Sequence, residues 1–250
     1  MPQFSANLGL LWADLPLPDA IRAARQYGFD AIETQWPYHA DPTDVRVALR
    51  ETGLEMLSIN TSKGVGEVGE FGLAAIPERG AQSVRDAFSY ADAISARAVH
   101  VLPGICEGTK AWATFEENLR LACDLAGGRT VLIEPINPHD VSGYLLHSLT
   151  EAVELIEKID HPRLKLMFDF YHIGRMDPDP IDRFHDVFPL IGHIQFASIP
   201  DRSAPDHGAL NFEEVFAAVD ASGWASPIGA EYRPVGKTEA SLGWMTPYSS

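Results

Sequence analysis

Cysteine is nearly absent: Cys106 and Cys123 are the two in 250 residues, with no Cys-x-x-Cys pair and no histidine at ligand spacing. That pattern speaks against a disulfide-stapled scaffold and a thiolate zinc site, and a reducing compartment is expected. Positive charge is scarce as well. Lys and Arg number 19 against 35 Asp and Glu, a net charge of −16, and such a surface repels the phosphate backbone of a nucleic acid. No window holds the roughly 18 apolar residues that cross a bilayer. The opening MPQFSANLGLLWADLPLP has neither a basic start nor a long apolar segment. An export leader is therefore not expected, and the chain reads as cytoplasmic with no membrane partner. Linkers and low-complexity tracts are missing too, so one domain over residues 1–250 is expected. A chain of that length buries about three-quarters of its unfolded surface and needs no staple to fold.

What is present is alternation. Runs rich in β-branched and aromatic residues occur at FSANLGLLW (4–12), AIETQW (31–36), EMLSIN (55–60) and AVHVLPG (98–104). They continue at TVLIEPIN (130–137), LKLMFDFYH (164–172), IGHIQFAS (191–198) and PIGAEYRP (227–234). Between them lie helical patterns: DAIRAARQYG (19–28) with Gly28 as its stop, SLTEAVELIEKID (148–160) with a Ser/Thr start and Val153, Ile156 and Ile159 on one stripe, and NFEEVFAAVDASG (211–223). Strand and helix alternating eight times point to parallel βαβ units. An open doubly wound sheet carries a glycine fingerprint in its first turn; the first loop here, WADLPLPDA, has none. The count of eight and the length predict an α/β fold, a single-domain (β/α)8 TIM barrel. A glycine-rich connection, TSKGVGEVGEFGLAAIPERGAQ (61–82), is expected to loop over the mouth.

Barrels of this kind do their chemistry at the C-terminal ends of the strands. The stretch RTVLIEPINP (129–138) places Glu134 at the end of an apolar run, an acid that is costly to bury without a cation or a hydrogen-bond partner. Asp169, Gln195 and Glu231 hold the same place in strands six, seven and eight, at separations of 35, 26 and 36 residues. By strand parity Leu132, Met167, His193 and Gly229 lie one layer below, inside the barrel. Three carboxylates in one mouth repel each other and resist ionisation, a cost that a divalent cation removes. The donor set is all oxygen, which selects Mg2+ or Mn2+ over Zn2+. Glu134, Asp169, Gln195 and Glu231 are thus the expected metal ligands.

Several blocks carry a resemblance. FSANL, GEFGLAAIPER (69–79), LIEPIN (132–137), FDFYH (168–172), GHIQFA (192–197) and EYRPVGKTEASLGWM (231–245) resemble motifs of the hydroxypyruvate isomerase family, within the xylose-isomerase-like barrels. The resemblance runs end to end. It implies a metal held by the same four residues and proton transfer by Glu134 and Glu231. Related ketose epimerases usually have histidine where this chain has Gln195, which supports the isomerase branch. Two departures touch the substrate pocket: strand three ends in Ile59-Asn60 rather than a His-Asn pair, and GALN (208–211) replaces the usual Gly-Glu before Ile-Asn.

The implied reaction exchanges the carbonyl and hydroxyl of a small hydroxy-carbonyl acid through an enediol. It needs a base, an acid and positive charge beside the developing oxyanion. Hydroxypyruvate is the expected substrate. A 2-oxo-tetronate isomerase, a ketose 3-epimerase and a non-catalytic metabolite-binding barrel are the other readings. His172, Asp140 and Arg202 are the expected substrate contacts, with Lys63 and Arg79 as other candidate counter-charges. His193 is expected to be an interior residue, Cys106 inert, and His100, Glu33 and Asn7 carry no assigned role. Leu242, Trp244 and Met245 are too apolar for free solvent. They are expected to pack on the barrel bottom or against a second copy in a homo-oligomer.

Overall fold

The computed structural model describes residues 2–65 and 70–248. In chain order it runs β1 (Phe4–Asn7), α1 (Leu17–Gln26), β2 (Ala31–Thr34), α2 (Pro42–Thr52), β3 (Met56–Asn60), α3 (Gly80–Ile94), β4 (Ala98–His100) and α4 (Thr109–Leu125). Then follow β5 (Thr130–Ile133), α5 (Leu149–Ile159), β6 (Leu164–Asp169), α6 (Phe170–Gly174), α7 (Pro180–Val187), β7 (Ile191–Phe196), α8 (Phe212–Ala221) and β8 (Ile228–Ala230). Neighbouring strands are parallel, and the sheet closes where Phe4 of β1 meets Ile228 of β8. This is the (β/α)8 barrel that the alternation predicts. Among the described residues no helix is long and apolar enough to cross a membrane.

Local chemistry explains the elements. Helix α8 starts where the Asn211 side chain accepts the Glu213 N–H at 3.1 Å, satisfying one of the free donors of the first turn. Helix α5 buries Ala152, Leu155, Ile156 and Ile159 against the barrel, while Val153 stays half-exposed. Ser148 occupies its N-cap position, yet its side chain makes no capping bond. Within the barrel Ala98, Leu132 and Met167 form a small apolar cluster of their own, the layer that parity places beneath the mouth.

The strands are shorter than the apolar runs suggest. β1 stops at Asn7, where the Asn7 carbonyl accepts the N–H groups of Leu10 and Leu11 and turns the chain. Leu8, Leu11 and Trp12 remain buried beyond that turn, so hydrophobicity there reports a packed loop rather than a longer strand. The C-terminal segment packs back on the barrel, and Trp244 and Met245 are buried, as their apolar character leads one to expect. The Trp244 ring meets Phe4 at 4.9 Å, Phe196 at 5.4 Å and Tyr232 at 6.4 Å, beside α8, whose Phe216 lies 6.2 Å away. Aromatic rings beside the β8–β1 seam offer an apolar surface large enough to hold it. Of the 61–82 connection, residues 66–69 lie outside the described residues, and its last residues already belong to α3.

Candidate active site

Asp169 ends β6 and Gln195 lies directly across from it on β7. Glu134 and Glu231 each stand one residue beyond β5 and β8. All four side chains are buried. Asp169 has a second task that aims it: its Oδ1 accepts the Tyr171 N–H at 2.9 Å and caps α6, leaving Oδ2 turned to the site. Because β6 gives way to that helix at once, His172 sits one turn from Asp169 instead of on the opposite strand face. Its Nε2 is 3.8 Å from Asp169 Oδ2 and 4.0 Å from Glu134 Oε1.

Three oxygens in this mouth, Glu134 Oε1, Asp169 Oδ2 and Gln195 Oε1, are buried and have no hydrogen-bond partner. An orphan of that kind costs on the order of 1–3 kcal/mol, more when charged. Burial, then Glu231 and Asp169, push the Glu134 carboxyl well above the usual carboxylate range. Burial raises Asp169 to about 7, with Arg202 pulling the other way and Glu231 adding to the rise. The site is short of positive charge, and the orphaned oxygens are hard donors of the kind that take Mg2+ or Mn2+. The residues present therefore fit such a cation.

Glu134, Asp169 and His172 each place one ligand-type atom within 4.8 Å of the others. His172 nonetheless differs from the three oxygens in chemistry. Its Nδ1 accepts the backbone N–H of Asn137 at 3.3 Å and lies 2.7 Å from the Asn137 amide. The ring proton then sits on Nε2, which faces the carboxylates as a donor rather than a lone pair. Burial, with Arg202 next, holds its pKa well below the usual range, so it is neutral.

Arg202 is the cation already there. Its Nη2 bonds Glu231 Oε2 and stands 3.8 Å from Asp169 Oδ2, and its guanidinium lies 5.0 Å from the Tyr171 ring centre. Although burial alone would lower its pKa, Glu231 and Asp169 raise it, so it stays charged. The other two candidate counter-charges are spent elsewhere. Arg79 forms a two-point pair with Glu70 at 2.7 and 2.8 Å, and Lys63 lies over Trp36. Asp140 accepts the Tyr171 hydroxyl at 2.7 Å and the Asn137 amide at 3.2 Å. It thus braces the two residues beside His172 and Arg202, rather than standing among the four. Cys106 is half-buried, and burial raises its thiol pKa, which keeps the thiolate scarce.

Sequence reasoning missed a supporting set. Asn7, Glu33 and Gln35 come from β1, β2 and the loop after β2: Asn7 and Gln35 donate to Glu231 at 3.0 and 2.9 Å, and Glu33 accepts the Gln195 amide at 2.6 Å. His100 ends β4 with its Nε2 3.8 Å from Glu134 Oε2, and burial followed by His193 lowers its pKa to about 3. The signal was available: Asn7, Glu33 and His100 also lie at strand ends, paired Asn7 with Glu33 and Asn60 with His100.

Residues 21–248 match the family model described as the xylose isomerase-like TIM barrel, and the chain belongs to that family. Relatives named as isomerases match it over its full length. It is 37% identical over 257 residues to a 2-oxo-tetronate isomerase of Pectobacterium atrosepticum, covering 99% of this chain and 98% of that one. It is 33% identical over 257 residues to a hydroxypyruvate isomerase of Escherichia coli, covering 99% and 100%. The crystal structure of an AP endonuclease, family 2, from Brucella melitensis superposes with a TM-score of 0.93 at 36% identity, covering 100% of both chains.

Proposed function

We propose that this chain is a divalent-metal-dependent isomerase of a small anionic hydroxy-carbonyl acid, with hydroxypyruvate to 2-hydroxy-3-oxopropanoate as the favoured reaction. The observation that carries the proposal is the convergence of three partnerless buried oxygens, from Glu134, Asp169 and Gln195, beside a buried arginine. The kinship with two small-acid isomerases supports the same reading. The 2-oxo-tetronate relative makes that four-carbon acid the second substrate to test.

Glu134, Asp169, Gln195 and Glu231 would hold Mg2+ or Mn2+. Such an ion would supply positive charge for the oxygen that gains electron density. Glu134 and Glu231 flank the site from β5 and β8. One removes the proton on C3 of hydroxypyruvate, and the other delivers a proton to C2 of the enediol. One hydroxyl proton is lost from O3 and one is gained at O2, so the acid leaves with its atoms and charge unchanged. Burial, before any neighbouring charge, raises the Glu134 pKa, and a carboxyl that holds a proton more readily suits the give and take of acid–base work. His172 donates Nε2–H to a substrate oxygen, and Arg202 takes the carboxylate in two-point fashion. Asp140 keeps Tyr171 under Arg202 and meets a more distal hydroxyl when the acid is longer. A net charge of −16 opposes a nucleic-acid substrate such as the Brucella relative's name suggests for that protein.

The test is turnover by metal-stripped protein given Mn2+ or Mg2+, with hydroxypyruvate, 2-oxo-tetronate and free ketohexoses as substrates in deuterated water. Activity on the acids that needs the metal, with deuterium appearing at the carbon that gains hydrogen, supports the proposal. Turnover in EDTA, or hydrogen carried over without exchange, contradicts it.

A further inference from the structure

The proton transfer proposed above leaves one fully buried carboxylate without a task. Glu33 of β2 is 0% exposed, and three N–H groups close around it. Gln195 Nε2 lies 2.6 Å from its Oε1, Asn7 Nδ2 lies 3.1 Å from the same oxygen, and His193 Nε2 lies 2.6 Å from Oε2. An ionised carboxylate only accepts hydrogen bonds. Gln195 must therefore turn its NH2 to Glu33, and its carbonyl oxygen goes the other way. That oxygen, Oε1, is the one left buried and partnerless in the mouth. With the amide reversed, two oxygens would meet at 2.6 Å and an NH2 would stand where the cation needs a donor atom.

A second arm runs through Asn7. Its Nδ2 bridges Glu33 Oε1 and Glu231 Oε1, the latter at 3.0 Å. Its Oδ1 accepts the Gly9 N–H at 3.0 Å, which sets that amide's orientation in turn. The fold also reserves space for the acid. Gly229 is the cross-strand partner of Gln195, and a Cβ at that glycine would fall 2.6 and 2.7 Å from the two Glu33 oxygens. Any side chain there would push Glu33 away, so the glycine has a steric reason.

We propose that Glu33 is a positioning residue of the cation site: it fixes which end of the Gln195 amide faces the cation and, through Asn7, holds the Glu231 carboxylate in place. This rests on reading Glu134, Asp169, Gln195 and Glu231 as the cation site. It adds to that reading a residue from the opposite half of the barrel that touches neither cation nor substrate.

The experiment titrates Mn2+ into metal-stripped wild type, Glu33→Gln, Gln195→Glu and the double variant, by calorimetry and by the Mn2+ paramagnetic resonance signal, with circular dichroism to check folding. Loss of an outer partner of a metal ligand weakens binding about 10- to 100-fold, and that is the expected loss in E33Q. In the double variant the bond between positions 33 and 195 re-forms with donor and acceptor exchanged, while the Asn7 Nδ2 contact to the same atom at position 33 stays lost. It should bind Mn2+ about tenfold more tightly than the two single changes, added as independent effects, would give. Should E33Q not fold, Gly229→Ala crowds the Glu33 carboxylate most closely and the Gln195 Cγ at 2.9 Å as well, without altering a polar atom, and it should weaken Mn2+ binding at least as much. A folded E33Q, or G229A in its place, that binds within about twofold of wild type overturns the positioning role while the cation site stands; so does simple additivity in the double variant. Wild type that binds no Mn2+ overturns the cation site, and the positioning role falls with it.

Discussion

The two halves of the barrel rim do different work with similar residues. The arc from β5 to β8 presents Glu134, Asp169 and Gln195 with oxygens that nothing satisfies. The arc from β1 and β2 presents Asn7, Glu33 and Gln35, whose polar groups are bonded to the first arc. Glu33 and Glu134 are both buried glutamates at the ends of inner strands. One is surrounded by three N–H donors, while the other faces further carboxylates that raise its pKa after burial does. An acid whose partners are complete is a support, and an acid left incomplete is a place for a ligand. Orientation of neighbouring donors, more than residue type, separates the two.

The sharpest way to break this contrast is to remove the acid from each side. Glu231→Gln should lower kcat by about a thousandfold, in the range of a lost general acid or base, while Mn2+ still binds more weakly in calorimetry. Turnover close to wild type in that variant would erase the distinction. A middle-sized effect is expected from Arg202→Lys. Lysine keeps the charge and loses the two-point geometry, so KM for the acid should rise about tenfold with kcat less affected, read from steady-state kinetics. The smallest effect concerns stability in EDTA. A folded pKa of about 7 for Asp169, raised first by burial, means that this group stabilises the fold below the ordinary carboxylate range. That contribution is lost as pH climbs through about 7. Asp169→Asn removes the titration, so the Tm difference between variant and wild type should grow by about 5 °C in the variant's favour from pH 5 to pH 8. A difference that stays flat with pH would show that Asp169 does not carry the unpaired charge.

Legibility in the sequence followed the same division. The eight repeats, their parallel closure and the layer of Leu132 and Met167 under the mouth were all readable, because strand and helix periods leave an imprint at every unit. Glu134, Asp169, Gln195 and Glu231 were readable because each follows an apolar run at a repeated address. Glu33 looked identical to a solvated strand-end acid. Only the register that sets Asn7 beside Glu33, and a glycine at 229 on β8, one strand beyond β1, show that it is enclosed. The strand lengths failed for a related reason: Leu11, Trp12 and Tyr232 are buried by loops and the C-terminal segment, and burial without a ladder leaves no period to read. The tail's position likewise depends on Phe4, Phe196 and Phe216 meeting in space.

The most direct test is anomalous diffraction from crystals of the protein soaked in Mn2+. The account predicts one strong peak at the mouth, about 2.2 Å from oxygens of Glu134, Asp169, Gln195 and Glu231, with the Gln195 NH2 still on Glu33. A peak bound instead through His172 Nε2 without Gln195, or no peak among these residues at saturating Mn2+, would contradict it.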